Sequence, residues 1–322
     1  MQRLVPTLRR DGVPSDLIPV IRTLLAATKE IAFRVRQGAL AGVLGSTLDE
    51  NIQGETQKQL DVIANQLIRD LLLEEPGVRA IASEEEDHAV AGNAQGKYVV
   101  AFDPLDGSSN IDINGQIGTI FTIFPALEGV AADSETHFLQ PGHRQVCAGY
   151  VLYGPSTMLV MTTGGPSRVY TLDTTHGSYL LTCDQLELAP DTAEFALNMA
   201  NQRFWSEGFK SYVADLLAGE TGPRGKRYNM RWNAAMVGDV HRVLTRSGVF
   251  IYPSDNRNPQ QPAKLRLLYE GNPMAMITEK AGGKAFSESQ RILDIQPDTL
   301  HQRVAIILGS ANEVDACLQY LQ

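Results

Sequence analysis

Residues 103–110, Asp-Pro-Leu-Asp-Gly-Ser-Ser-Asn, combine two carboxylates with a polar turn. Asp103 follows an apolar, strand-like stretch at 98–102, so we expect its carboxylate at the rigid end of a strand. Asp106 can turn back toward the same point, and Pro104 fixes one backbone angle between the two acids. Two oxygen-rich side chains held at a fixed separation predict a site for a hard cation such as Mg²⁺.

The second half of this run favours an anion. Gly107 allows a tight turn, after which Ser108, Ser109 and Asn110 offer N–H and hydroxyl donors to a phosphate group. The alternative is a solvated turn without any ligand, which is the common role of such polar clusters.

A second acidic run, residues 84–87, comes directly after an apolar strand predicted at 78–82. Acidic runs are usually solvated surface, but this one also lies at a strand end. It precedes Asp103 by only 19 residues, so adjacent strands could bring both ends together. Carboxylates that converge in this way would repel each other without a cation between them.

A third segment, residues 263–270, contains Lys264, Arg266 and Glu270. Its periodicity alone favours the exposed start of a helix. The glycine-rich and proline-containing continuation through Gly282 and Gly283 instead suggests close approach to another element.

The elements that position these segments can be predicted from apolar periodicity. Helices are expected at 15–37, with Ser15 as N-cap, and at about 56–73. Short strands are expected in the first half at 78–82, 98–102, 117–124, 145–153, 158–162 and 169–172.

The second half alternates differently. We expect strands at 195–199, 249–252 and 304–308, helices at 232–245 and 267–280, and a C-terminal helix capped by Asn312. Pro190 and Asp191 interrupt the pattern, which predicts two fused subdomains, 1–190 and 191–322, in an α/β architecture.

The composition is that of an ordinary globular protein of 322 residues, 43% hydrophobic and 20% charged. The beginning of the sequence resembles no signal peptide, no apolar run is long enough for a membrane span, and the three cysteines are far apart. We therefore expect a cytoplasmic protein with reduced thiols. The net charge of −9 argues against nucleic-acid binding. An anionic substrate would then require clustered cations, which add roughly +4 to +6 locally.

Taken together, these segments resemble the class I fructose-1,6-bisphosphatases, within the lithium-sensitive, metal-dependent sugar phosphatases. The resemblance covers nearly the whole chain. It includes, in order, residues 54–62 (Gly-Glu-Thr-Gln-Lys-Gln-Leu-Asp-Val), 96–100, 117–121, 139–142, 148–150, 252–253, 293–295 and 301–303.

The resemblance implies a layered α-β-α-β-α fold and a metal cluster of two or three Mg²⁺ per subunit, with Mn²⁺ as an alternative. Asp103 would bridge two of the ions. The remaining implied ligands are Glu84, the Leu105 carbonyl, Asp106 and Glu270.

The resemblance also implies the catalytic and binding groups. Glu85 and Asp61 would accept the proton of the attacking water, and Glu55 would lie on a loop that closes over the metals. The implied substrate-binding residues are Asp106, Gly107, Ser108, Ser109, Asn201, Tyr252, Lys264 and Arg231, the last reaching in from a neighbouring subunit.

The sequence departs from the family pattern in three places. Glu55 stands where the family's mobile loop usually has Asp, and Phe204 and Trp232 stand where many members have tyrosines that contact the distal phosphate. We expect the nearby Arg203 and Arg257 to compensate for the missing hydroxyls.

The third departure concerns the N-terminal subdomain, which in regulated members carries an AMP site. Residues 12–17, Gly-Val-Pro-Ser-Asp-Leu, differ from the family's AMP-binding segment, whereas Lys97 and Tyr98 of that site are present.

The function implied is Mg²⁺-dependent hydrolysis of the 1-phosphate of fructose 1,6-bisphosphate, in gluconeogenesis or Calvin-type metabolism, by a homotetramer. A sedoheptulose-1,7-bisphosphatase, or an enzyme with both specificities, is the nearest alternative. A non-catalytic metal- or phosphate-binding scaffold belongs to a different class, and the complete set of carboxylates argues against it. An inositol-monophosphate specificity is disfavoured by the second basic cluster, Arg231, Lys264 and Arg266.

Overall fold

The computed structural model describes residues 1–41, 46–50 and 56–321. The predicted site residue Glu55 lies outside these ranges. Within them, the helices are α1 (Leu4–Arg10), α2 (Leu17–Gln37), α3 (Gln59–Glu74), α4 (Glu207–Leu217), α5 (Met236–Arg246), α6 (Asn272–Lys280) and α7 (Ala311–Gln319).

The strands build two large sheets and two small ribbons. They are β1 (Ser46–Glu50), β2 (Thr56–Lys58), β3 (Val78–Ser83), β4 (Val90–Ala91), β5 (Tyr98–Asp106), β6 (Ile117–Pro125), β7 (Cys147–Tyr153), β8 (Thr157–Thr162), β9 (Arg168–Asp173), β10 (Ser178–Cys183), β11 (Glu194–Ala196), β12 (Asn229–Met230), β13 (Val249–Tyr252), β14 (Leu265–Arg266), β15 (Lys284–Ser287), β16 (Gln290–Arg291), β17 (Arg303–Val304) and β18 (Ile306–Gly309).

The first large sheet has the strand order β10-β9-β8-β7-β6-β5-β3-β4, and the second has the order β12-β11-β13-β18-β15-β16. Most pairs are antiparallel, but β3 and β5 run parallel, with Ser83 opposite Phe102. Because parallel strands end at the same edge of a sheet, the residues that follow β3 lie beside the end of β5.

Three of the four apolar cores in the described residues lie between the layers. One packs α2 and α3 against the first sheet, a second lies between the two sheets and includes α5 and α6, and a third packs α4 and α7 on the far face of the second sheet. This arrangement is the expected α-β-α-β-α layering, in which each sheet is covered on both faces.

Four predicted helix starts were wrong. The helix predicted from residue 232 begins at Met236, as α5. Helix α2 begins at Leu17, whose N–H bonds to the Pro14 carbonyl, and Ser15 does not cap it. Residues 56–58 pair with β1, so α3 begins at Gln59. The Asn312 side chain bonds to Asp191 instead of capping α7.

Two further expectations are met by the described part of the chain. Cys147, Cys183 and Cys317 are free thiols. None of the helices within residues 1–41, 46–50 and 56–321 has the length and apolar character needed to cross a bilayer.

Candidate active site

The ends of β3 and β5 bring the two acidic segments together. The Glu84 N–H donates to the Phe102 carbonyl (3.1 Å), which continues the strand pairing to the residue before Asp103. The carboxylates of Glu84 and Asp103 are both buried, and after burial the charge of Glu84 is the largest cause of the raised pKa of Asp103. The predicted convergence of the two acidic runs is therefore present.

Asp106 reaches the same point because the register of β5 shifts between Asp103 and Asp106. The Asp103 carboxylate accepts the Leu105 N–H (2.9 Å), which holds the intervening turn. The Asp106 carboxylate accepts the Val237 N–H (2.7 Å) from the first turn of α5. The two carboxylates are thus fixed by backbone donors from both halves of the chain.

Glu270 completes the cluster from a single turn of π-helix, Leu267–Gly271, just before α6. Its carboxylate accepts the Arg266 N–H (2.6 Å) and is 3% exposed. Such turns redirect side chains and are frequent at functional sites. Ligand atoms of Asp103, Asp106 and Glu270 lie within 4.8 Å of one another.

Three carboxyl groups of this cluster have raised pKa values. Burial, followed by the charges of Glu84 and Asp106, raises the pKa of Asp103 well above its usual range. Burial raises the pKa of Asp106 to about 7 and that of Glu270 to about 8, with the Glu84 charge adding to both. All three groups resist ionisation because their negative charges are close together and far from water.

One buried guanidinium partly balances this charge. Arg266, 4% exposed on β14, contacts Glu84 with an Nη1–Oε1 distance of 2.6 Å. The exposed helix start considered for this segment was therefore wrong.

The donor set fits a hard divalent cation. Three buried carboxylates whose ligand atoms are close enough together to share one ion, with a fourth beside them, are the oxygen ligands that Mg²⁺ and Mn²⁺ prefer. A cation would favour the ionised carboxylates and so offset both the burial and the repulsion that raise the three pKa values.

Two further acids lie beside the cluster. Glu85 lines the cavity next to Glu84, and its N–H donates to the Ser83 hydroxyl (3.2 Å). Asp61 is buried at the start of α3, where it accepts the Lys58 N–H (2.9 Å). Burial, with a smaller contribution from the charge of Glu85, raises the pKa of Asp61 to about 7, while the hydrogen bond from the Lys58 N–H opposes the rise.

The predicted anion-binding loop follows β5 directly. Gly107 has φ = +78°, and a Cβ at this position would lie 2.3 Å from the Ala235 Cβ, so only glycine fits. Ser108 and Ser109 line the cavity, and Asn110 turns inward, donating to the Asn233 carbonyl (2.8 Å).

These groups surround one open cavity of about 630 Å³. Away from the carboxylates its wall is aromatic, with Trp232 stacked on Phe250 (ring centroids 6.2 Å apart) and near Tyr252 (6.4 Å). The predicted site residues that line this cavity are Glu84, Glu85, Asp103, Leu105, Asp106, Gly107, Ser108, Ser109, Tyr252, Lys264 and Glu270.

Other predicted residues lie elsewhere. Asp61 is behind the lining, next to Ser108, and Asn201 is buried outside it. Arg231 is exposed and borders a different, small cavity.

The proposed compensating arginines contact Phe204 instead of the cavity. Arg203 lies 4.7 Å and Arg257 5.7 Å from the centre of the Phe204 ring. Arg257 also pairs with Asp255 (2.7 Å).

Three charged or amide side chains that line the cavity, those of Lys58, Asn198 and Arg266, were not among the predicted site residues. Lys58 pairs with Asp112 (2.7 Å) at the cavity and belongs to the 54–62 segment that carries the resemblance. Asn198 stands three residues before the predicted Asn201. Arg266 was assigned to a general basic cluster, because nothing in a linear sequence shows that a charged residue is buried against Glu84.

Lys97 and Tyr98, which the resemblance relates to the AMP site of regulated family members, form contacts within this chain. The Lys97 ammonium and the Tyr98 hydroxyl both contact the carboxylate of Asp16, at 2.7 and 2.9 Å.

Known proteins are similar to this chain along nearly its whole length. The family descriptions "Fructose-1-6-bisphosphatase, N-terminal domain" and "Fructose-1-6-bisphosphatase, C-terminal domain" match residues 8–184 and 188–322. A protein of Cellvibrio japonicus named fructose-1,6-bisphosphatase class 1 is 83% identical over 321 residues, covering 100% of this chain and 99% of that protein. A Saccharophagus degradans protein of the same name is 64% identical and fully covered.

The fold agrees with a solved structure as well. The holo form of Leishmania major fructose-1,6-bisphosphatase superimposes with a TM-score of 0.93 at 34% identity, covering 99% of this chain and 98% of that one. Family descriptions that span both sheets, relatives similar along the full length and a shared fold lead to one conclusion: this chain belongs to the class 1 fructose-1,6-bisphosphatase family of phosphatases.

Proposed function

We propose that the chain hydrolyses the 1-phosphate of fructose 1,6-bisphosphate to give fructose 6-phosphate and inorganic phosphate. The observation that carries this proposal is the meeting of three buried carboxylates, within 4.8 Å, with the loop Gly107–Ser109 in one cavity. The family membership of the chain and the names of its relatives support the choice of substrate.

Magnesium is the cation that we propose for the cluster, two or three ions per subunit, with Mn²⁺ as a substitute. Glu84, Asp103, the Leu105 carbonyl, Asp106 and Glu270 would hold them. When bound, such ions polarise the phosphoryl group and lower the pKa of a coordinated water. The chain's own contribution is a rigid donor set, since backbone N–H groups fix Asp103, Asp106 and Glu270.

Glu85 and Asp61 are the groups proposed to accept the proton of the attacking water. Glu85 lines the cavity, and Asp61 lies behind it with its pKa raised to about 7 by burial. A carboxylate with a pKa near neutrality can take up and release a proton during turnover. We propose that Glu55, outside the described residues, assists from a loop that closes over the site.

The phosphate that is transferred would be held by Gly107, Ser108 and Ser109, which line the cavity. Tyr252 and Lys264, which line the same cavity, would bind the sugar and the distal phosphate. Lys264 supplies positive charge there, which an anionic substrate needs in a chain whose net charge is −9.

The remaining distal ligands are proposed to depend on assembly. Arg231 is exposed and does not line the cavity of its own chain, which agrees with a role in the site of a neighbouring subunit of a homotetramer. Asn201 would join them after a local rearrangement. In this scheme residues 1–190 carry the metal-site loops and residues 191–322 the sugar-phosphate site, in a cytoplasmic enzyme.

Phosphate release from a panel of sugar phosphates tests the proposal. Fructose 1,6-bisphosphate, sedoheptulose 1,7-bisphosphate, fructose 1-phosphate and inositol 1-phosphate would be compared at equal concentration with and without Mg²⁺. We expect the highest kcat/KM with fructose 1,6-bisphosphate. Equal kcat/KM for fructose 1-phosphate would show that the distal phosphate is not recognised and would replace this proposal with a general monophosphatase.

The Arg231→Ala variant tests distal recognition separately. Losing a bidentate phosphate contact of at least about 1.4 kcal/mol should raise the KM for fructose 1,6-bisphosphate tenfold or more. Activity on fructose 1-phosphate, which has no distal phosphate, should change little. A similar loss on both substrates would assign Arg231 to folding or assembly.

A further inference from the structure

One part of the cavity wall is a turn, residues 232–235, between β12 and α5. Ala234 in this turn has φ = +61°, a left-handed conformation that is costly for any residue with a Cβ. Trp232, Ala234 and Ala235 all line the cavity. A strained segment in a cavity wall must be held in place by its surroundings.

The side chain that holds the turn is Asp239, which is 1% exposed in the first part of α5. Its Oδ1 accepts the Asn233 backbone N–H (2.7 Å) and the Asn233 side-chain amide (3.2 Å). Oδ2 has no hydrogen-bond partner within the described residues, so the hydrogen bonds of Asp239 are directed at the turn.

The 232–235 turn supports the proposed phosphate-binding loop, residues 107–110. The Asn233 carbonyl accepts the Asn110 amide (2.8 Å), and Ala235 packs directly over Gly107, where a Cβ would be only 2.3 Å away. A movement of the turn would therefore change the position of the loop that carries Ser108 and Ser109.

Asp239 also lies close to the residue that precedes the turn. It borders a small cavity of about 10 Å³ together with Arg231, which we propose acts in the site of a neighbouring subunit.

We propose that Asp239 is a positioning residue for substrate binding: through its hydrogen bonds to Asn233 it keeps the 232–235 turn against the loop 107–110. The consequence for catalysis rests on the proposed function, but the effect on phosphate binding does not. Asp239 touches no reacting atom in this scheme and acts only through the turn.

The chain offers a matched control on the same helix. Arg242 of α5 forms a bidentate ion pair with Glu194 of β11, both distances being 2.9 Å. Both residues border the small cavity beside Asp239, but in the described part of the chain neither is hydrogen-bonded to residues 232–235. Glu194→Gln loosens α5 without touching the hydrogen bonds of Asp239.

The test compares Asp239→Ala, Asp239→Asn and Glu194→Gln by calorimetric titration with inorganic phosphate in the presence of Mg²⁺. We expect the phosphate Kd to rise about tenfold in Asp239→Ala, less in Asp239→Asn, and less than about twofold in Glu194→Gln. The KM for fructose 1,6-bisphosphate should rise in parallel, with kcat changed less than about threefold. A purely structural residue would lower Tm without this pattern.

A second-site change sharpens the test. Glycine adopts a positive φ without the Cβ penalty, so Ala234→Gly combined with Asp239→Asn should recover part of the lost phosphate affinity. Unchanged phosphate affinity in folded Asp239→Asn, or an equal loss in Glu194→Gln, would overturn the proposal. If wild-type protein does not hydrolyse fructose 1,6-bisphosphate, the proposed function fails while the phosphate titration still decides the role of Asp239.

Discussion

Buried carboxylates in two regions of this molecule have opposite electrostatic surroundings. One region is the proposed metal site, called here the metal-site cluster and defined as Glu84, Asp103, Asp106 and Glu270. The other is the Glu313 cluster, which consists of Glu313, 2% exposed near the start of α7, and its partners Tyr212, Tyr228 and Arg224. Glu313 accepts hydrogen bonds from the Tyr212 and Tyr228 hydroxyls, both at 2.8 Å, and pairs with Arg224 at 2.9 Å.

The difference lies in the charge that each group leaves unbalanced. Glu313 has one guanidinium and two hydroxyls for one carboxylate, so its charge is satisfied within the chain. In the metal-site cluster four carboxylates share the cations Arg266, which contacts Glu84, and Lys264, which lines the same cavity. Burying charge without compensation is costly. An excess of buried negative charge is thus the signature of a cation site, whereas burial of acids alone is not.

Of the changes that test this comparison, removal of divalent cations should have the largest effect, a loss of turnover. With excess EDTA we expect turnover to be abolished, because the uncompensated carboxylates would repel a phosphate ester. The measurement is phosphate release from protein whose metal content has been checked by elemental analysis, with Mg²⁺ added back as control. Substantial turnover by verified metal-free protein would refute the assignment of the cluster to metal binding.

Substituting the proposed proton acceptor should have the next largest effect. Glu85→Gln should lower kcat by about 10²–10⁴ with little change in Mg²⁺ affinity, since it removes a base but no proposed ligand. Glu86→Gln is the matched control, because Glu86 bonds to Asn65 (3.0 Å) and lies outside the cavity lining. A kcat for Glu85→Gln equal to that of the control would remove Glu85 from the mechanism.

The metal-site cluster could be anticipated from the sequence because its parts are local. Asp103 and Asp106 belong to one short run, and the acidic run at Glu84 follows the neighbouring parallel strand. Strand ends of this kind meet by the geometry of the sheet alone. Most strands and the long helices were also predictable, since their apolar periodicity is strong.

What the sequence could not show depends on contacts between distant segments. Asn110 bonds to Asn233, 123 residues later, and the burial of Arg266 against Glu84 joins residues 182 positions apart. Asp239 resembles any acid in the first turn of a helix, and Glu313 does too. Local patterns also misplaced the caps at Ser15 and Asn312, where other backbone and side-chain partners compete for the same groups.

The Glu313 cluster should respond in stability but not in catalysis. Glu313→Gln leaves Arg224 without its counter-charge, which should lower the free energy of unfolding by about 2–3 kcal/mol. Denaturant unfolding measures this loss, and kcat and Mg²⁺ affinity should stay at wild-type values. Tyr228→Phe, which removes one hydroxyl donor, should give a smaller loss of the same sign. A change in Mg²⁺ affinity would show that the two clusters are not independent.

Removing a carboxylate charge from the metal-site cluster should instead raise the free energy of unfolding, by less than the loss expected for Glu313→Gln. Burial raises the pKa of Asp106 to about 7 and that of Glu270 to about 8, above the 3.8 and 4.5 of the same groups when fully solvated. The unfolded chain therefore releases these protons first, and stability is lost as the pH rises from about 4 to about 8.

Asp103→Asn removes one of the repelling charges, while its remaining oxygen can still accept the Leu105 N–H. At pH 8.5 in EDTA we expect this variant to be more stable than wild type by about 1–2 kcal/mol, and at pH 5 by much less. Added Mg²⁺ should raise the Tm of wild type but not of Asp103→Asn, because only the intact cluster binds the ion. Lower stability of Asp103→Asn at pH 8.5 in EDTA would mean that the cluster is balanced within the chain, as Glu313 is.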